Sequence, residues 1–231
     1  MLIADIMVVT PHPDDAEYGV AGTVARWVKE GKKVVYIVCT NGDKGTENTK
    51  ITPEELAKIR EKEQIAACKL LGVKEIVFLR HSDQTLEDTH EFRREIVCQI
   101  RKFRPKIVAT ANPYRHYIWH RDHRMAGQVT LDAVFPYARD HLSYPDLNKK
   151  CLKPHKVKEV LLWASDDINY LSDISETFDI KISALRCHKS QIGTGKQAKK
   201  VEEWIRNLNQ EYAKDESFKL AEAFHRVEVP Y

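Results

Sequence analysis

Residues 3–15 read Ile-Ala-Asp-Ile-Met-Val-Val-Thr-Pro-His-Pro-Asp-Asp, an apolar and β-branched run that stops at two prolines. A short apolar run of this kind, bounded by turn residues, is typical of a buried strand. The sequence therefore predicts a strand over Ile3–Thr10. It also predicts that the turn after this strand carries His12, Asp14 and Asp15.

Helical and strand-like patterns alternate through the rest of the first half. In chain order they predict helix Glu17–Lys29, strand Lys33–Cys39, helix Pro53–Leu71 capped by Thr52, strand Glu75–Leu79, helix Glu91–Phe103 and strand Lys106–Thr110. This alternation is typical of a parallel sheet covered by helices on both faces. Right-handed connections bring the carboxyl ends of such strands to one edge, where ligands bind.

The second half is less regular. Its patterns predict helix His123–Val134, a long loop over Pro136–Pro154, strand Val157–Trp163, helix Asp179–Cys187 and helix Lys196–Lys214. A length of 231 residues suits one large α/β domain. We therefore predict a single Rossmann-like domain over residues 1–231 with a mostly parallel sheet. Residues 1–125 form its regular α/β half, and residues 126–231 complete it with a loop, a strand and helices.

Charge and hydropathy narrow the classes of partner. The formal net charge is only +3, and the basic residues are scattered among acidic ones, so nucleic-acid binding gains no support. Met1–Thr10 is far too short to span a bilayer and lacks the features of a signal peptide. The rest of the chain has no apolar run of membrane length. We expect a cytoplasmic protein without a membrane span.

The five cysteines are Cys39, Cys68, Cys98, Cys151 and Cys187. Their number is odd and they include no C-x-x-C pair, which indicates neither a disulfide framework nor a cysteine zinc site. Cys39 and Cys68 lie in apolar stretches, where cysteine acts as a small hydrophobic residue. A catalytic thiol is the alternative interpretation.

The turn after the first strand places an imidazole and two carboxylates within four positions. Adjacent ionised carboxylates repel each other unless a positive charge lies beside them, and a divalent cation is the simplest candidate. The alternative is an Asx-type turn in which Asp15 caps a helix. That alternative explains one aspartate and leaves His12 and Asp14 without a role.

A second polar cluster follows the fourth predicted strand. His116, His120, Asp122 and His123 fall within eight residues, and this loop is expected at the same edge of the sheet. Zinc sites of catalytic type use three protein ligands and keep a fourth position for water. His12 and Asp15 would supply two ligands, and one histidine of this loop the third. The alternative is a surface loop anchored by its tryptophan, with incidental histidines.

These two clusters resemble the paired motifs of the LmbE-like, or GlcNAc-phosphatidylinositol de-N-acetylase (PIG-L), superfamily of zinc-dependent N-deacetylases. The motifs are Pro11-His12-Pro13-Asp14-Asp15-Ala16-Glu17 and His120-Arg121-Asp122-His123. Further similar segments are Thr40-Asn41-Gly42, Arg60-Glu61-Lys62-Glu63 with Leu71-Gly72-Val73, Asp173-Ile174-Ser175-Glu176 with Lys181–Leu185, and His188-Lys189-Ser190-Gln191. The resemblance therefore covers most of the chain.

The resemblance implies that the cation is Zn²⁺ and that His12, Asp15 and His123 are its ligands. Fe²⁺, Mn²⁺ and Co²⁺ are alternatives for a site with two imidazoles and one carboxylate. The resemblance also implies that Asp14 is the general base, which takes a proton from the attacking water.

The remaining roles implied by the resemblance concern the substrate. His120 would stabilise the oxyanion or protonate the leaving amine, and Asp122 would orient His120. Arg60 would bind substrate, and His188 is a second candidate for substrate binding. The chain departs from the family pattern at Arg121, where relatives often have proline.

The residue that shares oxyanion stabilisation with the metal is left open among Tyr114, Tyr117 and His188. His81 and Asp83, which follow the third strand, are expected at the rim of the site, although a plain surface role is an equal alternative for His81.

The implied function is removal of an acetyl group from an N-acetylated amino sugar or its conjugate, of the N-acetylglucosaminyl type. The alternatives are a metal-dependent hydrolase of a non-sugar amide, an ester or a phosphoester, a nucleotide-binding module, and a silent relative that only binds metal. A nucleotide-binding module favours a glycine-rich loop after the first strand, and this chain has two prolines there instead. The sequence leaves the oligomeric state open, although relatives of this size often assemble into homo-oligomers.

Overall fold

The apolar run near the start of the chain forms strand β1 (Ile6–Thr10), and all five of its residues are buried. In the computed structural model, which describes residues 2–230, this strand lies inside a seven-stranded sheet. The other strands are β2 (Val34–Thr40), β3 (Glu75–His81), β4 (Ile107–Ala111), β5 (Glu159–Trp163), β6 (Tyr170–Asp173) and β7 (Ala221–Glu228).

The order of the strands across the sheet is β3-β2-β1-β4-β5-β7-β6. Strands β3, β2, β1, β4 and β5 pair in parallel, whereas β7 is antiparallel to both β5 and β6. The predicted fold class, one α/β domain with a mostly parallel sheet, is confirmed. The two predicted halves share this sheet, because β4 pairs directly with β5.

Helices cover both faces of the sheet. They are α1 (Asp15–Gly19), α2 (Ala21–Lys29), α3 (Pro53–Leu71), α4 (His90–Phe103), α5 (Arg121–Asp132), α6 (Pro145–Lys149), α7 (Phe178–Leu185), α8 (Lys189–Ile192) and α9 (Lys196–Tyr212). A kinked turn at Ala133–Tyr137, with Phe135 outside the helical conformation, follows α5. Side chains that alternate along β1 divide between two cores. Met7 and Val9 pack in the core that contains residues of α4 and α5, and Ile6 and Val8 pack in the core that contains residues of α2 and α3.

Helix Pro53–Leu71 begins and ends where the sequence predicts. Thr52 accepts a hydrogen bond from the backbone N–H of Glu55, whose side chain accepts one from the backbone N–H of Thr52. These reciprocal bonds satisfy donors that the first turn would leave free. The helix ends at Gly72, which adopts the left-handed conformation with φ 77°.

The prediction of one helix over Glu17–Lys29 is wrong. The segment forms α1 and α2 with a break at Val20, whose φ of −143° is not helical. The break lets α1 begin at Asp15, directly after the turn that carries the polar cluster.

The sequence patterns also missed β6, β7 and the short helices α6 and α8, and α6 lies inside the loop predicted over Pro136–Pro154. Strand β6 has only four residues, too few to show a period. Strand β7 buries Glu222 in its apolar end, so the run does not look apolar. Among the helices of residues 2–230, none combines the length and the apolar character needed to cross a membrane.

Glu222 is a charged residue in the core, and its contacts explain why it can be buried there. Its carboxylate accepts hydrogen bonds from the backbone N–H groups of Gly22 (2.9 Å) and Thr23 (2.8 Å), in the first turn of α2. These donors have no partner within the helix, and an anion is favourable at this end of it. Lys181 Nζ lies 2.5 Å from Glu222 Oε1, and both side chains are buried. The pair thus joins α7, β7 and α2.

Lys181→Met would leave the Glu222 carboxylate buried without its cation. We expect the free energy of unfolding to fall by about 3–5 kcal/mol, the range for breaking a buried ion pair from one side. Urea denaturation measures this fall. Lys189→Met, which changes an exposed lysine, is the control and should shift stability by less than about 0.5 kcal/mol. Equal small shifts for both variants would show that the buried pair contributes little.

Candidate active site

The polar clusters meet at the carboxyl edge of the sheet. His12, Asp14 and Asp15 follow β1, Asp83 follows β3, and the histidine loop after β4 leads into α5. His120 is the residue before this helix, and its Nδ1 accepts a hydrogen bond from the backbone N–H of Asp122 (3.1 Å). The observed α5 therefore begins two residues before the predicted helix.

One side-chain atom from each of His12, Asp15 and His123 lies close to the other two. We call these three residues the donor trio. His12 Nδ1 is 2.9 Å from Asp15 Oδ2, and His123 Nε2 is 3.0 Å from the same oxygen. The two ring nitrogens, His12 Nδ1 and His123 Nε2, are 3.3 Å apart. The two imidazoles and the carboxylate that the sequence predicts to share a cation therefore converge on one point.

The spacing and chemistry of the donor trio fit a divalent cation. Zinc–nitrogen distances of ~2.0–2.1 Å in a tetrahedral site place neighbouring ligand atoms about 3.3 Å apart. The observed separations of 2.9, 3.0 and 3.3 Å are close to this value. Two imidazoles and a carboxylate are also a ligand set that zinc accepts. The residues present thus fit the metal that the sequence implies.

Carboxylates surround the other side of the His12 ring. His12 Nε2 lies 3.0 Å from Asp83 Oδ1 and 3.1 Å from Asp122 Oδ2. Burial acts to lower the pKa of His12, but Asp15, Asp122 and Asp83 outweigh it and raise this pKa to about 12. The environment of His12 therefore favours a positive charge at this point, whether a proton or a cation bears it.

The structure corrects the predicted role of Asp122. Its buried carboxylate contacts His12 and accepts hydrogen bonds from the backbone N–H groups of Gln84 (2.6 Å) and Leu86 (3.1 Å). The contact of this carboxylate with His12 supports a role in orienting the His12 ring, whereas His120 meets only the backbone N–H of Asp122. A carboxylate on the second nitrogen of a ligating histidine is a common feature of metal sites, since it fixes the ring and its tautomer.

Two other groups also bring ligand-type atoms within 4.8 Å, His12–His120–His123 and His12–Asp83–Asp122. We prefer the donor trio because its atoms are spaced as tetrahedral ligands are. In addition, the Asp122 carboxylate is already held by two backbone donors.

Asp14 lies beside the donor trio in an unusual backbone conformation. Its φ is 104°, and its N–H donates to Gln64 Oε1 (3.1 Å). Arg60 Nη2 donates to Asp14 Oδ1 (3.2 Å) and to the carbonyl of Pro13 (2.6 Å). Burial raises the pKa of Asp14 to about 6, against the lowering effect of Arg60.

Arg60 is buried, and both terminal nitrogens of its guanidinium donate to protein groups, Nη1 to the carbonyl of Gly42 (3.0 Å) and Nη2 to Pro13 and Asp14. A Cβ on Gly42 would lie 2.5 Å from this guanidinium, so the close approach requires glycine. These contacts support a role for Arg60 in positioning Asp14. Direct substrate binding by Arg60 stays a prediction.

His188 lies behind Asp14 and is fully buried. Its Nε2 is 3.2 Å from Glu17 Oε2, and Gln64 donates to Glu17 Oε1 (3.0 Å). A buried polar chain thus runs from Asp14 through Gln64 and Glu17 to His188. With no exposed surface, His188 lies behind the site rather than on its surface, and its role as a direct substrate contact stays a prediction. Tyr114 and Tyr117 are 64% and 92% exposed.

Sequence reasoning missed Gln64 and Glu17 as members of the site. Gln64 lies four residues after Arg60 on α3, so both side chains share one face of this helix, and that spacing was a usable signal. Glu17 belongs to the first motif. Asp83, expected at the rim, instead lies against His12.

Two cavities of ligand size are present in the described structure. One of about 380 Å³ is lined by Asp15 and His123. A larger one of about 560 Å³ lies between α5 and strands β5 and β7, and none of the donor trio lines it. The chemistry of the donor trio, rather than cavity size, identifies the candidate site.

An open α/β sheet with imidazoles and carboxylates at its carboxyl edge is an arrangement typical of enzymes. Comparison with known proteins defines the class further. Residues 7–134 match the protein family described as "PIG-L: GlcNAc-PI de-N-acetylase". The chain belongs to this family.

Relatives of known name and relatives of known structure point to the same family. The chain is 36% identical over 189 residues to the diacetylchitobiose deacetylase of Thermococcus kodakarensis, covering 82% of this chain and 70% of that one. It is 30% identical over 207 residues to the probable N-acetyl-alpha-D-glucosaminyl L-malate deacetylase 2 of Bacillus subtilis, covering 87% and 89%. It superposes on the N,N'-diacetylchitobiose deacetylase of Pyrococcus horikoshii with a TM-score of 0.92 and 29% identity, covering 97% and 84%.

None of the cysteines belongs to the donor trio, although Cys68 Sγ accepts a hydrogen bond from Gln64 Nε2 (3.4 Å). Cys39 and Cys68 are buried, and burial raises the pKa of both thiols well above the ordinary value. A thiol that stays protonated is a poor nucleophile. The structure therefore gives no support to a catalytic role for either residue.

We expect Cys39 and Cys68 to resist a thiol reagent at about pH 8 in the native protein, because both stay protonated and out of solvent. Exposed Cys151 should react at once and serves as the internal control. All five thiols should react in denaturant. Peptide mapping of the modified sites measures this, and rapid native labelling of Cys39 or Cys68 would contradict it.

Proposed function

We propose that the chain is a zinc-dependent N-deacetylase that removes the acetyl group from an N-acetylglucosaminyl conjugate. The observation that carries this proposal is the donor trio with Asp14 beside it. The family and the relatives support the reaction, since the relatives named above are deacetylases of N-acetylglucosamine-containing compounds by their names.

His12, Asp15 and His123 would hold the metal. When bound, zinc supplies a polarised amide carbonyl and a water whose pKa is lowered toward ~7. Asp83 and Asp122 fix the His12 ring from its far side, so Nδ1 stays directed at the other two ligands. Iron, manganese and cobalt remain alternatives that metal analysis distinguishes.

Asp14 takes the proton of the attacking water in this proposal. Arg60 engages Oδ1, so we assign the proton to Oδ2. The hydrogen bond from its N–H to Gln64 holds the backbone at its positive φ, which fixes the carboxylate beside the donor trio. The same carboxyl group can later return this proton to the departing nitrogen.

His120 is the proposed donor to the acetyl oxygen as negative charge develops there. Its Nδ1 accepts the N–H of Asp122, so the ring proton of the neutral imidazole is on Nε2. Nε2 lies 3.9 Å from Asp83 Oδ1, on the side of the site where Asp83 meets His12. A fixed donor of this type typically contributes about 3 kcal/mol to stabilisation of the transition state.

Asp14→Asn should keep the metal and lose at least about 100-fold in deacetylation rate, the usual contribution of a general base. Asp15→Ala and His123→Ala should instead lose the metal, because each removes one of only three protein ligands. Plasma-emission analysis measures the metal, and release of free amine from a panel of N-acetylglucosamine conjugates measures the rate.

Asp215→Asn, which changes an exposed aspartate away from the site, is the matched control and should keep both metal and rate. Near-full turnover by Asp14→Asn would rule out its role as base. Full metal content in Asp15→Ala and His123→Ala would rule out the proposed ligands.

A further inference from the structure

The turn after β3 is held by two adjacent side chains of the loop after β2. Asp83 lies in this turn, and its carboxylate is 3.0 Å from His12 Nε2. Its backbone N–H donates to Asp43 Oδ1 (2.8 Å), and its carbonyl accepts from Lys44 Nζ. Asp43 and Lys44 thus engage both polar backbone groups of the residue that contacts His12. We call them the β2-loop pair.

The β2-loop pair is directed at the turn rather than at itself. Lys44 Nζ lies 2.5 Å from Ser82 Oγ, whereas it is 3.5 Å from Asp43 Oδ1. The Ser82 hydroxyl in turn donates to Asp43 Oδ2 (3.0 Å). The Asp43 side chain is only 13% exposed. Water therefore competes little for its hydrogen bonds, which makes them stronger than those of a surface aspartate.

The loop that carries the pair is itself fixed to both of its neighbours. Strand β2 lies between β1 and β3 in the sheet. At its end, the N–H of Thr40 donates to the carbonyl of Pro11 (2.9 Å), and the N–H of Asn41 donates to the carbonyl of His81 (2.9 Å). The Asn41 side chain then accepts the N–H of Asp43 (3.2 Å). The pair therefore extends from an ordered backbone.

The residue before the pair supports a different part of the site. The carbonyl of Gly42 accepts a hydrogen bond from Arg60 (3.0 Å), which donates to Asp14 Oδ1 (3.2 Å). Consecutive residues of one loop therefore reach the proposed base through Arg60 and the proposed ligand His12 through Asp83. This segment, Thr40-Asn41-Gly42 with Asp43, belongs to a motif that the proposed mechanism leaves without a role.

The position of Asp83 matters because a carboxylate on the second nitrogen of a ligating histidine fixes the ring. The turn has one other support, since the N–H of Gln84 donates to Asp122 Oδ2 (2.6 Å). Loss of the β2-loop pair would leave the turn held from that side alone. The Asp83 carboxylate would then be free to move away from His12, while Asp122 would still contact the ring.

We propose that Asp43 and Lys44 are positioning residues, which hold the turn after β3 so that the Asp83 carboxylate meets His12 and which strengthen metal binding through that contact. The inference rests on the metal site of the proposed function, to which it adds the groups that hold its histidine from a distance.

The test measures Co²⁺ binding to the metal-free protein by visible absorption. Asp43→Leu keeps a similar volume but has no acceptor, so binding should weaken about tenfold, the lower end of the usual effect of losing a group that orients a ligand. Asp43→Asn keeps an oxygen for the Asp83 N–H and should lose less than about threefold. Lys44→Met, at a more exposed position, should lose about threefold, the effect of one hydrogen bond.

Asp83→Ala shows whether the pair acts through Asp83. In a protein that already lacks this carboxylate, Asp43→Leu should weaken Co²⁺ binding by less than about twofold, because the contact that it supports is absent. Asp173→Leu is the matched control. Asp173 is also partly buried and also accepts a backbone N–H and a hydroxyl, both from Ser175 (2.9 and 2.7 Å), but it lies at the end of edge strand β6. It should lower the free energy of unfolding by a similar amount and leave Co²⁺ binding unchanged.

A tenfold loss from Asp43→Leu with and without Asp83, or an equal loss from Asp173→Leu, would indicate general destabilisation and overturn the proposal. Wild-type affinity in both Asp43→Leu and Lys44→Met would overturn it as well. Should Asp43→Leu fail to fold, Lys44→Met in the presence and absence of the Asp83 carboxylate decides alone.

The ring nitrogens of His12 in the metal-free protein give a readout that needs no metal. In long-range proton–nitrogen correlation spectra, with signals assigned by His12→Gln, Asp43→Leu should move the Nε2 signal in the direction that Asp83→Ala does. Asp173→Leu should leave it in place. An unmoved signal in Asp43→Leu would contradict the proposal. If wild type binds no divalent metal, the proposed function fails, while this signal still decides the role of the β2-loop pair.

Discussion

The carboxyl edge of the sheet is organised around the two nitrogens of one imidazole, that of His12. Nδ1 faces Asp15 and His123, and Nε2 faces Asp83 and Asp122. These partners come from the ends of three strands, and β1 can bring them together because it lies inside the sheet, between β2 and β4. A shift of β1 by one residue would exchange its two faces and displace the turn that carries His12, Asp14 and Asp15.

Concentrating carboxylates in this way has an electrostatic consequence. Like charges at close range repel strongly in a buried site, and cations placed among them offset that repulsion. Arg60 does so for Asp14, and a metal would do so for Asp15. Gln64 accepts a hydrogen bond from the Asp14 N–H and donates one to Glu17, and it thereby helps to hold Asp14 at its positive φ. The stability of this region and its proposed chemistry therefore depend on the same contacts.

Much of this arrangement follows from local pattern. The alternation of strands and helices, the capping of α3 and the convergence of His12, Asp15 and His123 are all predictable, because each depends on short segments and on the rule that parallel strands end at one edge. The partner of the Asp122 carboxylate is not predictable from the sequence. A shift of one position at the start of α5 would decide whether this carboxylate faces His12 or His120. The sequence pattern does not reveal strand β7 for a related reason. Its Glu222 can be buried because Lys181 lies beside it, and that contact is not visible in the local pattern. The cavity of about 380 Å³ beside the donor trio is not predictable either, since residues that line it, such as Tyr18, Trp119, Trp163 and Trp204, are far apart in the chain.

The two halves of the chain thus contribute differently to the site. All three proposed metal ligands and Asp14 precede residue 124, within the segment that matches the family. Trp163, Trp204 and Tyr212, which line the cavity of about 380 Å³ beside the donor trio, come from the later segment. Substitutions there would leave the proposed metal ligands and their carboxylate partners in place. A fold divided in this way can change which conjugate it accepts without altering the groups that cleave the amide. The reason is that binding of the distant part of a substrate and stabilisation of the reacting atoms depend on different side chains.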